Sequence, residues 1–223
     1  LPVVKFYAGL PFLGFIGAMR SALVLAFSTS SSSATLPVTM EAAESNLKVS
    51  NEVASFVLPI GATVNMDGTA LYQGVAAVFI AQVYGLDLSL GDQATVVVSA
   101  TMASIGAAGV PGAGMLTLAM VLASIGVPVE GVALVIGVDR LLDMFRTATN
   151  VVGDSTATVL VARMQKDPIR VVSPEEDAAD PTSGFEGRLE NVKPTPIDID
   201  DEGPAAGGAE SDSDTTDEPE APV

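Results

Sequence analysis

A stripe of polar and charged side chains follows one face of a long apolar segment. At 100° per residue its members fall within an arc of about 100°, whereas Leu141, Leu142 and Phe145 lie opposite. The stripe consists of Asp139, Asp143, Arg146, Thr147, Asn150 and Asp154. Asp143 and Arg146 are three residues apart and could simply neutralise each other. In a membrane helix we favour a functional site, because ionisable groups are costly there unless they meet partners, water or a solute.

A second polar stretch, residues 65–69 with the sequence NMDGT, interrupts the apolar segment 53–84. A break in a helix frees backbone carbonyls, here those of Gly61, Thr63 and Asn65, and these join Asp and Asn side-chain oxygens as hard ligands. Asp154 has no basic residue three or four positions away, so its buried carboxylate needs a cation. The stretch predicts a site for a monovalent cation, although Asp-Gly is also common in ordinary turns.

A run of small hydroxyl side chains, residues 28–33, separates two further apolar segments. Hydroxyls and backbone N–H groups at a helix start favour an anionic group. The alternative is a flexible polar linker.

The apolar runs predict an all-α membrane protein with an unusual helix order. Runs 13–27 and 93–105 are shorter than the roughly 20 residues that cross a bilayer, and each returns after a polar or glycine-rich tip. Such pairs indicate re-entrant hairpins, whose irregular backbone must be covered by protein or water. We predict a hairpin over 13–47, an interrupted helix over 53–84, a hairpin over 92–127 and a continuous helix over 130–164. The order hairpin, helix, hairpin, helix is a weak internal repeat, and such repeats are typical of transporters.

The charge is concentrated at the C-terminal end. Seventeen of the 27 acidic residues but only three of the 10 basic residues follow Lys166, so residues 167–223 predict a disordered acidic tail. Three basic residues close to the end of the last helix predict, by the positive-inside tendency of membrane proteins, that this tail is cytoplasmic; they are Arg163, Lys166 and Arg170. The chain has no Cys and no His, which excludes disulfides, Cys/His zinc sites and Ser-His-Asp catalysis. No nucleophile and base are paired, so we expect no enzyme.

Four stretches in this order carry a family resemblance: STSSSSATLPVTM, LPIGATVNMDGTALYQG, SIGAAGVPGAG and DRLLDMFRTATNVVGDS. Over residues 12–165 the chain resembles the dicarboxylate/amino acid:cation symporters, which include archaeal aspartate and neuronal glutamate transporters. The resemblance implies the core of a transport domain that moves like an elevator against a trimeric scaffold. The family's first six helices have no counterpart, so we expect a longer protein that forms homotrimers in the cell membrane.

The resemblance also implies roles for individual residues. Asp143 would bind the substrate amino group and Arg146 its side-chain carboxylate. Further substrate contacts would be Ser31, Ser32, Ser33, Met66, Thr69, Val110, Gly114, Thr147 and Asn150. One set of sodium ligands would comprise Gly61, Asn65, Asn150 and Asp154, with Asp67 beside it, and a second would use carbonyls of Thr63, Ser104, Ile105 and Ala107. Ser30 and Met144 stand where some archaeal and neuronal members, respectively, carry an auxiliary arginine.

The expected function is sodium-coupled symport of aspartate, glutamate or a related dicarboxylate. Proton coupling through the stripe and a truncated, non-transporting membrane fragment are the alternatives. The expected partners are the solute, sodium ions and the lipid bilayer, with no nucleic acid.

Overall fold

The structure is a computed structural model that describes residues 4–172. Within this range it is entirely helical and has no strand, which confirms the all-α class. A π-turn at Val4–Ala8 is followed by helices α1 (Phe12–Ala18), α2 (Arg20–Thr29), α3 (Ser32–Leu47), α4 (Asn51–Val64), α5 (Asp67–Val83), α6 (Leu90–Ile105) and α7 (Ala113–Ser124). A 3₁₀ turn at Val129–Val132 leads into α8 (Ala133–Met164).

Helix α8 is the common element of the fold, because two apolar clusters lie along it. The first cluster packs α1 to α4 against its C-terminal half, where Val151, Val159 and Ala162 are buried. The second packs α5 to α7 near its N-terminal end, where Val135 is buried. The polar stripe of α8 therefore lies between two separately packed halves.

The first hairpin region differs from its predicted form in two places. Its first arm is divided at Met19, and α1 and α2 meet there at an angle of 62°. The Ala18 carbonyl, next to this break, accepts a hydrogen bond from Asn46 Nδ2 at 2.7 Å. The tip is also shorter than the serine run suggests. Only Ser30 and Ser31 lie outside the helices, because Ser31 Oγ caps α3 by accepting from the Ala34 N–H.

The interruption between α4 and α5 is two residues long, not five. Only Asn65 and Met66 leave the helices, while Asp67, Gly68 and Thr69 form the first turn of α5. An acidic residue in a first turn is favourable beside the helix dipole. The tip of the second hairpin is likewise shorter than predicted, because Ala113 and Gly114 already belong to α7.

Part of the predicted tail lies within the described residues. Residues 167–172 are packed against the end of α3 and the start of α4, so they belong to the body. The rest of that expectation, residues 173–223, lies outside the described residues.

No single helix within residues 4–172 is both long and apolar enough to cross a bilayer. The bent pair Phe12–Ala18 and Arg20–Thr29 meets the requirement of length and composition when its two helices are taken together.

The packing of α7 predicts different outcomes for two leucines on that helix. Leu118 is fully buried and Leu116 is 78% exposed. We expect Leu118→Ala to lower the free energy of unfolding by about 2–5 kcal/mol, since it leaves a cavity. The matched Leu116→Ala should change it far less. Thermal unfolding of the purified protein in detergent measures both, and equal losses would contradict the assigned packing of α7.

Candidate functional site

The stripe on α8 forms the centre of the candidate site. All six of its side chains are buried, although charged residues are rarely buried without partners. Arg146 is paired with Asp143, whose Oδ1 lies 2.6 Å from Nη2 and accepts from Nε at 3.1 Å. The mutual pairing that the spacing allowed is therefore present. It presents one anion and one cation side by side.

Tyr72 of α5 holds the other side of Arg146. The guanidinium carbon lies 4.5 Å from the centre of the Tyr72 ring, a cation–π contact. The Tyr72 hydroxyl donates to Asp139 Oδ1 at 3.1 Å, and that oxygen is 3.8 Å from Arg146 Nη1. Nη1 is buried and makes no hydrogen bond to any described residue. It thus remains available to an acceptor such as a carboxylate.

The second hairpin tip closes over this pair. The Gly112 N–H donates to Asp143 Oδ2 at 2.9 Å, and Gly112 has a φ of +79°, which favours glycine. Gly114, in the first turn of α7, lies against the Arg146 guanidinium so closely that a Cβ would overlap it. The tip therefore needs small residues in order to approach the charged pair.

The two hairpin tips also contact each other. The Gly109 carbonyl accepts from Ser31 Oγ at 2.8 Å and from the Ser33 N–H at 3.2 Å. A Cβ on Gly109 would lie only 2.7 Å from Ser33 Oγ and 2.9 Å from the Ala62 carbonyl oxygen. Segments about 78 positions apart in sequence thus meet directly above the stripe.

A small cavity of about 10 Å³, room for about one water molecule, lies between the tips, the α4–α5 break and α8. Nine of the predicted substrate contacts line it, namely Ser32, Met66, Thr69, Val110, Gly114, Asp143, Arg146, Thr147 and Asn150. Ser31 and Ser33 do not line it, because they are engaged with Gly109. The buried Ser30 hydroxyl, which belongs to the predicted hydroxyl run but not to the predicted substrate contacts, also borders the cavity and has no hydrogen-bond partner in the described residues.

Asn150 connects α8 to the α4–α5 break. Its Oδ1 accepts from the Gly68 N–H at 2.7 Å, and its Nδ2 lies 3.2 Å from Met66 Sδ and 3.4 Å from Thr69 Oγ1. Gly68 is packed so closely on α8 that a Cβ would overlap the Arg146 carbonyl. The first N–H groups of α5 are unpaired within that helix, so the Asn150 amide stabilises the break.

Oxygen groups suited to a monovalent cation gather one turn further along α8. Asp154 Oδ1 accepts from Asn65 Nδ2 at 3.0 Å, and a Cβ on Gly61 would lie 2.7 Å from the same oxygen. Gly153 leaves space for Asn65 and Asp67, since a Cβ added at this position would lie 2.9 Å from Asn65 Nδ2 and 2.6 Å from Asp67 Oδ2. The carboxylates of Asp154 and Asp67 are hard oxygen ligands of the kind a monovalent cation takes, whereas Asn65 directs its Nδ2 donor towards Asp154. No cluster of three or more His, Cys, Asp or Glu suited to a metal occurs in residues 4–172.

Two of the backbone carbonyls that we predicted as cation ligands also accept hydrogen bonds within the protein. The Gly61 carbonyl accepts from the Asn65 N–H at 2.8 Å, so it is shared with the end of α4 and retains one lone pair. The Ser104 carbonyl accepts from the Ala107 N–H at 3.1 Å. Ser104 and Ile105 line an open groove of about 830 Å³ together with Asn65 and Asp67.

Tyr72 is the main site residue that sequence reasoning missed. It follows Thr69 by three positions, and thus lies on the same face of α5. That spacing was the available signal. Asp139 was part of the stripe but had no assigned role until the structure placed it beside Tyr72 and Arg146.

Comparison with known proteins shows the family of this chain. The profile of the sodium:dicarboxylate symporter family matches residues 1–164. The chain belongs to this family. It is 49% identical over 193 residues to excitatory amino acid transporter 3 of Mus musculus, a match covering 86% of the chain and 35% of that protein. It is also 49% identical over 182 residues to the putative sodium-dependent excitatory amino acid transporter glt-4 of Caenorhabditis elegans, covering 82% and 36%.

The human excitatory amino acid transporter 3 is 55% identical over 152 residues, 68% of the chain and 29% of that protein. This member of the symporter family thus spans about a third of the length of the curated relatives it matches. The family and these relatives are transporters and not enzymes, which confirms the expectation that the chain is no enzyme.

Close contact at Gly114 leads to a second prediction. Gly114→Ala places a methyl group against the Arg146 guanidinium, so we expect a loss of about 1–3 kcal/mol of unfolding free energy from overpacking. Gly74→Ala is the matched control, because nothing lies within 4 Å of its Cβ in the middle of α5. Thermal unfolding of the two variants measures the difference. A Gly114→Ala protein as stable as the control would show that Arg146 does not occupy the position described.

Proposed function

We propose that this chain is the solute-binding core of a sodium-coupled symporter for an acidic amino acid, aspartate or glutamate, or a related dicarboxylate. The observation that carries the proposal is the buried pair of Asp143 and Arg146 beneath the two touching hairpin tips. The pair offers one site for an ammonium group and one for a carboxylate, a few ångströms apart. The names of the relatives, which are excitatory amino acid transporters, support the same solute class.

In this proposal the solute replaces the internal ion pair with two external ones. Its ammonium group binds Asp143, while its side-chain carboxylate binds the guanidinium of Arg146, whose Nη1 has no other hydrogen-bond partner in residues 4–172. Met66, Thr69, Thr147 and Asn150 contact the solute from the α4–α5 break and α8. Ser32, Val110 and Gly114 contact it from the hairpin tips, whereas Ser31 and Ser33 hold the two tips together through the Gly109 carbonyl.

Sodium ions are the proposed co-transported cargo. One ion binds at Gly61, Asn65, Asn150 and Asp154, with Asp67 beside it, and a second at Thr63, Ser104, Ile105 and Ala107. Both groups touch the break or the second tip, which also form the solute site. An ion that orders these segments therefore raises the affinity for the solute, and the solute raises the affinity for sodium by the same factor.

The proposed setting follows from this function. Residues 1–166 form part of a transport domain in the cell membrane, in which 13–47 and 92–127 are re-entrant hairpins and 53–84 and 130–164 are the interrupted and continuous helices. The tail is cytoplasmic, and the whole protein assembles as a homotrimer. Helix α8 supports a membrane setting, because the charged side chains of its stripe are buried, whereas Leu141 and Phe145 on the opposite face are exposed.

The solute anchor predicts the effect of Arg146→Ala. We expect this variant of the whole protein to bind aspartate about a hundredfold more weakly or worse, since it loses a buried charged partner. Arg140→Ala is the matched control, because Arg140 lies on the same helix but is exposed. Sodium-dependent binding of labelled aspartate compares the two, and unchanged binding by the Arg146 variant would remove Arg146 from the site.

The sodium assignment predicts that Asp154→Asn raises the half-saturating sodium concentration for aspartate uptake about tenfold, because the cation loses a charged ligand. The exposed Asp87→Asn is the control. Uptake is titrated with sodium at fixed pH, which also separates sodium coupling from proton coupling. An unchanged titration would contradict the role of Asp154, and uptake that persists without sodium would favour protons.

A further inference from the structure

Residues 167–172 form a short non-helical segment, which we call the strap, that turns back from the end of α8. The turn is made by Lys166, whose φ of +66° is left-handed, and by the Asp167 N–H, which donates to the Ala162 carbonyl at 3.0 Å. This is the helix-ending geometry of the Schellman type. It directs the chain back towards the base of the first hairpin instead of away from the body.

The strap pairs with the C-terminal end of α3. The Arg170 N–H donates to the Leu47 carbonyl at 3.1 Å and the Val172 N–H to the Asn46 carbonyl at 2.9 Å. The last four carbonyls of a helix have no partner within the helix. The strap supplies two of the missing donors, so it caps α3 from a segment more than 120 positions away in sequence.

The same strap also completes the start of α4. Asp167 Oδ2 accepts from the Ser50 N–H at 3.0 Å, while the Ser50 side chain itself makes no capping bond. A carboxylate at a helix N-terminus is favoured by the helix dipole. One segment of six residues thus caps the end of one helix and the start of the next.

Apolar packing adds to these hydrogen bonds. Ile169 and Val171 lie against the first apolar cluster, which includes the buried Leu47 and Ala43. A Cβ on Gly14 of α1 would be 3.4 Å from Val171. Asn46, whose carbonyl binds the strap, donates from its side chain to Ala18 at the break between α1 and α2. The strap therefore contacts or supports every helix that enters the base of the first hairpin.

We propose that the strap is a clamp that fixes the base of the first hairpin to the end of α8. Asp167 is its positioning residue. Because α3 runs directly from this base to the tip at Ser31, the clamp holds the tip in register with the stripe of α8, which lies at the other end of the hairpin arm. Loosening the strap should let the base open and shift the serine tip away from Gly109.

The first test measures opening of the base without reference to transport. The chain has no cysteine, so Ala43→Cys, at a position only 1% exposed, serves as a reporter in the whole protein made otherwise cysteine-free. Two truncations are compared by thiol labelling, one ending after Lys166 and one ending after Val172. We expect the first to label about tenfold faster and the second as slowly as the uncut protein. Equal protection in both would overturn the clamp, and so would exposure in the second.

Point variants keep the test decisive if the shorter truncation fails to fold. Asp167→Ala should speed labelling, whereas Asp167→Asn, which retains an acceptor oxygen for the Ser50 N–H, should restore most of the protection. Glu52→Ala is the matched control, because Glu52 is an exposed acidic residue in the first turn of α4. Labelling of Asp167→Ala at the rate of the Glu52 control would contradict the proposal.

The link from hairpin position to solute affinity rests on the proposed function. If the chain binds aspartate as proposed, Asp167→Ala should also weaken sodium-dependent aspartate binding about threefold to tenfold, and Asp167→Asn should restore most of the affinity. If the unchanged protein bound no aspartate, the proposed function would fail while the labelling result still decided the clamp. Faster labelling with unchanged aspartate affinity would overturn the claim that the clamp positions the tip.

Discussion

The ion pair between Asp143 and Arg146 is the constraint on which the rest of the structure depends. Two opposite charges withdrawn from water need good geometry and further hydrogen bonds before their attraction offsets the loss of hydration. The Gly112 N–H supplies one such bond to Asp143. The Tyr72 ring and Asp139 surround the outer face of Arg146. The second hairpin tip and α5 thus converge on one pair of side chains of α8.

Close approach of backbones is the second requirement, and glycine meets it. A Cβ at Gly68 would overlap the Arg146 carbonyl, and a Cβ at Gly114 would overlap the Arg146 guanidinium. Gly61 and Gly153 play the same part around Asp154 and Asp67. The absence of side chains lets helices meet across polar atoms, so that backbone groups as well as side chains surround the charged stripe. The groups that surround the stripe are therefore mainly hard oxygen and N–H groups.

The break between α4 and α5 and the two hairpin tips place irregular backbone beside the stripe of α8, and each is stabilised locally. Asn150 pairs with the start of α5, Ser31 caps α3, and the tips share the Gly109 carbonyl. At the opposite end of the first hairpin, the strap satisfies the ends of α3 and α4. The polar groups that irregular backbone exposes are therefore paired within the protein.

The sequence by itself determined which face of α8 is polar, where the apolar runs stop, and the family. Helical periodicity is a local property of the backbone, so the positions of Asp143, Arg146 and Asn150 on one face follow from their spacing alone. Local composition was less reliable at the breaks. It extended the interruption to Thr69 and began the tail at Asp167, because polar residues in a first helical turn or a capping segment resemble loop residues.

Only the tertiary structure decided which groups meet across the fold. The packing of segments dozens of positions apart decides three contacts. Tyr72 lies over Arg146, Ser31 binds Gly109, and Asp167 caps α4. No local pattern encodes such contacts, since they arise from the shape of both apolar clusters and from the demand of buried polar atoms for partners. The residue types could therefore predict the chemistry of the site, whereas the packing of α8 between two halves decided its geometry.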